Sequence, residues 1–164
     1  MGKEIEYKFL VNKGLILPKL DKEKYLEIKQ GYITNSTEKV VRVRTKEIIT
    51  KRENYKVGYL TIKGANKGIT RSEYEYEIPY DEAVSMLEEF CDTYIEKTRY
   101  IVLHKGKTWE IDFFEGDNSG LIIAELEVES EEETFEKPEW IGEDVSLDKR
   151  YLNNNLIKTP YTKW

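Results

Sequence analysis

Glu4, Glu6 and Lys8 occupy every second position near the amino terminus, interleaved with Ile5, Tyr7 and Phe9. In an extended strand alternate side chains face opposite ways, so two carboxylates and an ammonium line one face, each about 7 Å from the next, over an apolar back. Carboxylate pairs of this kind offer oxygen ligands that suit Mg²⁺ or Mn²⁺. Arg42-x-Arg44 presents two guanidinium groups on one face, suited to bidentate binding of phosphate. A single charged strand is ordinarily just a solvated face. Here the pattern recurs: Lys63, then Arg71, Glu73 and Glu75, then Lys97 and Arg99, Asp112, and finally Glu125 and Glu127.

Both signs are present in comparable number, and two accounts follow. The rows could pair directly with one another as ion pairs. Alternatively, a divalent cation held by the carboxylates and a chain of phosphates held by the arginines and lysines would balance both signs together. The second arrangement is a phosphoryl-transfer site built without a P-loop, since no G-x-x-x-x-G-K-[ST] stretch occurs in the chain.

The elements that must carry these residues read as strands. Alternation covers about 3–11, 27–33 (with Gly31 at a bulge or a close approach), 39–46, 55–63, 71–78, 94–104, 108–115 and 121–129. Helical spacing appears over 81–91, a turn or two over 21–26, and a terminal helix is expected over about 149–157, capped by Ser146. Cys91 reads as a buried structural thiol at a helix end and His104 as an exposed residue beside a turn. About eight strands joined mostly by short turns predict a mainly β protein with a few flanking helices, an antiparallel sheet long enough to close into a barrel. Whether the apolar or the charged faces point inward is left open by the pattern. A charged lumen needs partners for every group, and its apolar outer faces would be covered by the helices and, in part, by a second subunit, which leaves a homodimer open.

The chain has 164 residues, 35% of them charged and 12% aromatic, with a formal net charge of −6. One domain spanning 1–164 is the simplest organisation. The acidic balance argues against a duplex nucleic-acid binder but not against an anionic ligand, which responds to local clusters. A lone cysteine fits a reducing compartment. With no signal peptide, long apolar run or lipidation motif visible, a cytoplasmic protein with no membrane association is the expectation.

The ordered set Glu4-x-Glu6-x-Lys8, Gln30-Gly31-Tyr32, Arg42-x-Arg44, Thr61-x-Lys63-Gly64, Arg71-x-Glu73-x-Glu75, Lys97-x-Arg99, Glu110-x-Asp112, Glu125-x-Glu127, Trp140-x-Gly142 and Asp148-x-Arg150-Tyr151-x-Asn153 resembles the triphosphate tunnel metalloenzymes, the CYTH superfamily. The resemblance covers nearly the whole chain. It implies a closed eight-stranded antiparallel tunnel with a charged lumen, a Mg²⁺ or Mn²⁺ requirement, and an inorganic, nucleoside or other organic triphosphate as substrate. It further implies Glu4, Glu6, Glu125 and Glu127 as metal ligands with Glu75 and Asp112 near them. Lys8, Arg42, Arg44, Lys63, Arg71, Lys97 and Arg99 would hold phosphate, Glu73 would line the tunnel, and Lys8 with Tyr32 would ready the attacking water. Within that family the leading expectation is a triphosphatase of the inorganic-triphosphatase type. The alternatives are a class IV adenylate cyclase, a non-catalytic polyphosphate- or nucleotide-binding module, and a structural barrel with exterior charges.

Overall fold

The computed structural model describes residues 2–164. Ten strands form one antiparallel sheet. The first, β1 (Glu4–Val11), is followed by a helical turn, α1 (Lys13–Ile16). Three long strands then run as a meander: β2 (Tyr25–Asn35), β3 (Lys39–Ile49) and β4 (Asn54–Gly64). After the short β5 (Thr70–Arg71) and β6 (Glu73–Ile78) comes the helix α2 (Tyr80–Phe90). The hairpin β7 (Ile95–His104) and β8 (Lys107–Phe114), then β9 (Ile122–Glu127), β10 (Ile141–Asp144) and a last helical turn, α3 (Asn153–Leu156), complete the chain.

Neighbouring strands pair in the order β10-β1-β9-β8-β7-β2-β3-β4-β6, and β5 pairs with β1. Only Ser72 separates β5 from β6, so a nearly continuous stretch bonds to β4 along one part and to β1 along the other. Lys8 stands opposite Glu125 and Glu6 opposite Glu127 in the β1–β9 ladder, while Arg42 and Arg44 stand opposite Thr61 and Tyr59 in the β3–β4 ladder.

Apolar residues cover the outer faces. Ile5 and Phe9 of β1 join Trp109, Ile111, Ala124 and Leu126 in one core cluster, over which the 128–140 segment lays Val128, Phe135 and Trp140. Phe9, Trp109, Phe135 and Trp140 meet at tilted or edge-on angles, with ring centroids 5.5 to 6.2 Å apart. On the opposite side, α2 lays Leu87 and the cysteine after its end, Cys91, against Val43. Pro79 and the acidic Asp81 and Glu82 start that helix as a first turn should.

A third cluster lies on the other face. On β7, β8 and β9 the positions in register with Lys97, Asp112 and Glu125 become Ile95, Phe114 and Ile123 toward one end. Those three pack with Leu121 and with Val145, Tyr151 and Leu156 of the carboxy-terminal segment. The charged rows thus end against an apolar plug.

Four local expectations change. The early helical turns fall at 13–19 rather than 21–26, because the Asn12 side chain accepts from Leu15 N at 3.1 Å and Pro18 favours a first-turn position. The terminal helix is broken into two turns at the extended Leu152, before Asn153-Asn154-Asn155, three poor helix formers. Asp148 rather than Ser146 caps the first turn, accepting from Arg150 N at 3.1 Å. The strand count rises from eight to ten through the division at Ser72 and through β10, whose four residues carry no alternation to read. At β2 the irregularity falls between Tyr32 and Thr34, while Gly31 serves as the close approach. A Cβ there would sit 2.7 Å from Cys91 Sγ.

That contact yields a test. Gly31→Ala must push α2 away from the sheet and is expected to cost about 1–3 kcal/mol in urea unfolding, the usual scale of overpacking. An unchanged midpoint would contradict the packing described.

Candidate functional site

The charged faces converge. Two adjoining cavities, of about 330 and 210 Å³, share Glu4, Glu6, Lys8, Arg42, Lys63 and Asn153 in their walls. The smaller adds Arg44, Lys46, Glu73, Glu75, Arg99, Glu110, Glu125 and Glu127, so every lining residue except Asn153 is charged, six basic and seven acidic. The larger turns toward the carboxy-terminal segment and adds Tyr32, Arg71, Lys149 and several neutral residues. It is the more basic half, with five basic groups to two acidic.

Strand alternation on several neighbours brings these groups within contact of one another. Lys8 Nζ lies 2.8 Å from Glu125 Oε1 and 3.0 Å from Glu6 Oε1. Burial alone would lower the lysine's pKa, but Glu125 and Glu6 outweigh it and hold Lys8 firmly as an ammonium. The two glutamates then divide unequally. Burial favours the neutral form of both, yet Lys8, Lys97 and Arg99 keep Glu125 well below the carboxylate range. Glu6, desolvated and facing the Glu125 charge, is pushed up to about 8 despite its own contact with Lys8. Glu4 is ionised against Lys63, 2.8 Å away, whose pull outweighs its burial together with the other charges nearby. Glu127 is raised by burial and by Glu4 and Glu73.

The basic wall is also crowded. Arg42 is buried, its Nη2 donating to Thr61 Oγ1 at 3.1 Å and to Glu75 Oε2 at 3.3 Å, and its Nε has no protein partner among the described residues. Arg44 donates through Nε to Gln30 Oε1 at 3.0 Å. Burial, then Arg42 and Arg99, push Arg44 down to about 10, still charged at neutral pH. Lys46, next in the same row, is pushed down to about 8 by burial and by Arg44 and Arg99. Such crowding of like charge favours an anion in the cavity.

Two expected site residues lie behind the lining rather than on it. Asp112, fully buried, receives Arg99 Nε and Nη2 at 2.6 and 2.8 Å and Lys97 Nζ at 2.7 Å. With both oxygens engaged by cations, Asp112 is held well ionised against its burial, and neither it nor Lys97 borders either cavity. Lys8 and Tyr32 both line the larger cavity, with no direct hydrogen bond between them. The phenol oxygen accepts from Gln30 Nε2 at 2.9 Å, and burial raises its pKa. Arg71 borders the larger cavity but spends Nε and Nη2 on Gly64 O at 3.1 and 2.8 Å.

Sequence reasoning missed Lys46, Glu110 and Asn153 as lining residues. Lys46 was legible as the next alternate position after Arg42 and Arg44. Glu110 shares the Asp112 face and lies 2.5 Å from Arg99 Nη1. Asn153 closes the Asp148-x-Arg150-Tyr151-x-Asn153 stretch of the resemblance, but strand alternation assigns it no facing, because an irregular segment places it.

A sequence model of the CYTH domain family matches residues 2–161. An inorganic triphosphatase of Acetivibrio thermocellus is 50% identical over 162 residues, 98% of this chain and 97% of that protein. An inorganic triphosphatase of Nitrosomonas europaea is 34% identical, over 93% of this chain and 95% of its own length. Among solved structures, one of an inorganic triphosphatase superposes with a TM-score of 0.61 at 32% identity, covering 94% of this chain and 93% of that one.

Two measurements check the electrostatics. In metal-free protein Glu6 keeps its proton to about pH 8, whereas in the unfolded chain it does so only to about 4.3. Between those values the folded state holds the extra proton, so stability falls as pH rises through the window. Glu6→Gln is expected to flatten that fall, and an unaltered slope would refute the assignment. Asp112→Asn strands two buried cations and is expected to cost about 3–5 kcal/mol in denaturant unfolding. A loss below about 1 kcal/mol would show that the pair carries no structural role.

Proposed function

The chain belongs to the CYTH domain family, and on that premise we propose that it is a divalent-metal-dependent inorganic triphosphatase, cleaving tripolyphosphate to phosphate and diphosphate. The observation that carries this reading is the smaller cavity, lined by charged groups of both signs and Asn153 alone besides. Such a wall offers no aromatic or apolar platform for a nucleoside, and it matches a ligand made of phosphate oxygens and cations.

We read the fold as a single domain forming a closed eight-stranded tunnel. Counting β5 and β6 as one strand bent at Ser72 supports this, since the order then returns from β4 through that strand to β1, with β10 an addition outside the ring. Glu73 N donating to Gly2 O at 3.3 Å adds to the same junction. Among the described residues no helix is long and apolar enough to cross a membrane.

The residues fit a divalent cation of the Mg²⁺ or Mn²⁺ kind. Their donors are oxygens, and Glu6 is pushed up to about 8 by its burial and then by the Glu125 charge beside it, both of which a cation would offset. Among the described residues no three acidic, histidine or cysteine side chains form a ready cage. Mg²⁺, however, usually takes one or two carboxylates and fills its shell with water and substrate phosphate. Glu4, Glu6, Glu125 and Glu127 would hold it, with Glu75 nearby; Asp112 instead anchors Lys97 and Arg99. Bound there, the ion would supply charge neutralisation on the phosphate oxygens.

The chain's own groups account for the rest. Lys8, Arg42, Arg44 and Lys63 take phosphate oxygens and offset the charge that grows on the leaving diphosphate. Phosphoryl transfer through a loose transition state asks mainly for positioning and electrostatics. Ile95, Phe114 and Ile123 with the carboxy-terminal segment give the charged rows an apolar end.

Incubation of the protein with tripolyphosphate and Mg²⁺ or Mn²⁺, followed by phosphorus NMR, is expected to show phosphate and diphosphate in equal amounts. Cyclic AMP formed from ATP would replace the hydrolase with a cyclase, and tight binding without turnover would leave a binding module. Glu4→Gln and Glu127→Gln are each expected to lower kcat by about a hundredfold or more with the fold intact, and full activity in either would remove that ligand. Arg42→Ala is expected to raise KM for tripolyphosphate about tenfold, whereas an unchanged KM and kcat would contradict its contact with phosphate.

A further inference from the structure

Asn153 is the one uncharged residue in the wall shared by both cavities. It does not come from the sheet. It opens α3, immediately after the extended Leu152 that breaks the carboxy-terminal segment into two turns. Its carbonyl oxygen Oδ1 accepts from Lys97 Nζ at 3.1 Å, and Lys97 is anchored in turn by Asp112 at 2.7 Å.

This contact decides which way the amide faces. Asparagine oxygen and nitrogen are hard to tell apart by shape, but an ammonium has three donors and no acceptor. Lys97 therefore requires the oxygen on its side and turns the amide nitrogen Nδ2 away from itself. Nδ2 has no partner among the described residues, and it is not sealed from solvent as the orphaned Arg42 Nε is. Two N–H donors are thereby left on a side chain that borders the same cavities as Lys8, Arg42 and Lys63.

We propose that Asn153 is a substrate-binding residue that donates its side-chain N–H groups to a phosphate oxygen of the polyphosphate chain, and that Lys97 is the positioning residue that aims it. The inference rests on the triphosphatase reading and deepens it. It gives Lys97 a role at one remove from the substrate, which accounts for a buried lysine that touches neither cavity. It also gives the carboxy-terminal segment a part in recognition beyond plugging the lumen: a neutral donor placed among charged ones, able to hold an anion without adding repulsion to the crowded basic wall.

Asn153→Asp separates binding from structure, because it leaves an oxygen for Lys97 and replaces the donors by a second, repelling oxygen. Calorimetric titration of wild-type and variant protein with inorganic tripolyphosphate, metal-free and at fixed salt, is paired with urea unfolding of each. The expected result is an unfolding midpoint at or above that of wild type, with Kd for tripolyphosphate weakened about tenfold or more. Asn153→Ala serves as the second variant and is expected to weaken Kd by a smaller factor, about three- to tenfold. In steady state with Mg²⁺, both are expected to raise KM more than they lower kcat. Wild-type affinity and KM in both variants would overturn the inference and leave the triphosphatase reading standing. A wild-type protein that neither binds nor hydrolyses tripolyphosphate would overturn both.

Discussion

Charge balance among buried groups of both signs around two adjoining cavities is the constraint on which this structure turns. Carboxylates, guanidinium groups and ammonium groups from most of the strands line these cavities, and many of them are buried. The desolvation cost of such groups is several kcal/mol apiece unless opposite charge or hydrogen bonds offset it. The protein meets part of that demand internally. Asp112 takes both Lys97 and Arg99, and Lys8 satisfies Glu125. What remains is an uneven residue of charge: Glu6 holding a proton, Glu127 raised by burial and by its acidic neighbours, and Arg42, Arg44 and Lys46 crowded together. A cation and a polyanion would relieve that imbalance.

The fold follows from that demand. Strand alternation lets one sequence place charge on one face and a continuous apolar coat on the other, and the coat needs covers. Those are α2 on one side and the 128–140 segment with Phe135 and Trp140 on the other. Gly31 and Gly58 carry no side chain where α2 comes closest, since a Cβ on Gly58 would fall 2.6 Å from that of Ala83. At one end of the charged rows the same-facing positions turn apolar on three adjacent strands at once, and the carboxy-terminal segment seats itself there.

Much of this was legible in the sequence, because a period of two is a direct record of which face a residue takes. Glu4, Glu6, Lys8, Arg42, Arg44, Lys63, Glu73, Glu75, Arg99, Glu125 and Glu127 all border the smaller cavity. What periodicity could not tell is depth along a strand. Lys97 and Asp112 share the facing of their neighbours yet lie below the lining, pulled there by mutual attraction and by Arg99. Nor could alternation reach residues supplied by irregular chain. Asn153 and Lys149 enter the cavities from turns broken at Leu152, and β10 is recognised only through its pairing with Phe9 and Val11.

A structure determined with tripolyphosphate and Ca²⁺, a cation of the same oxygen preference as Mg²⁺, tests the central claim most directly. Lumenal charge balance predicts the phosphate chain lying between Lys8, Arg42, Arg44 and Lys63, with the cation against Glu4, Glu6 and Glu127. A ligand seated on the outer surface, or a lumen left with its carboxylates and arginines in their present pairings and no ligand between them, would contradict it.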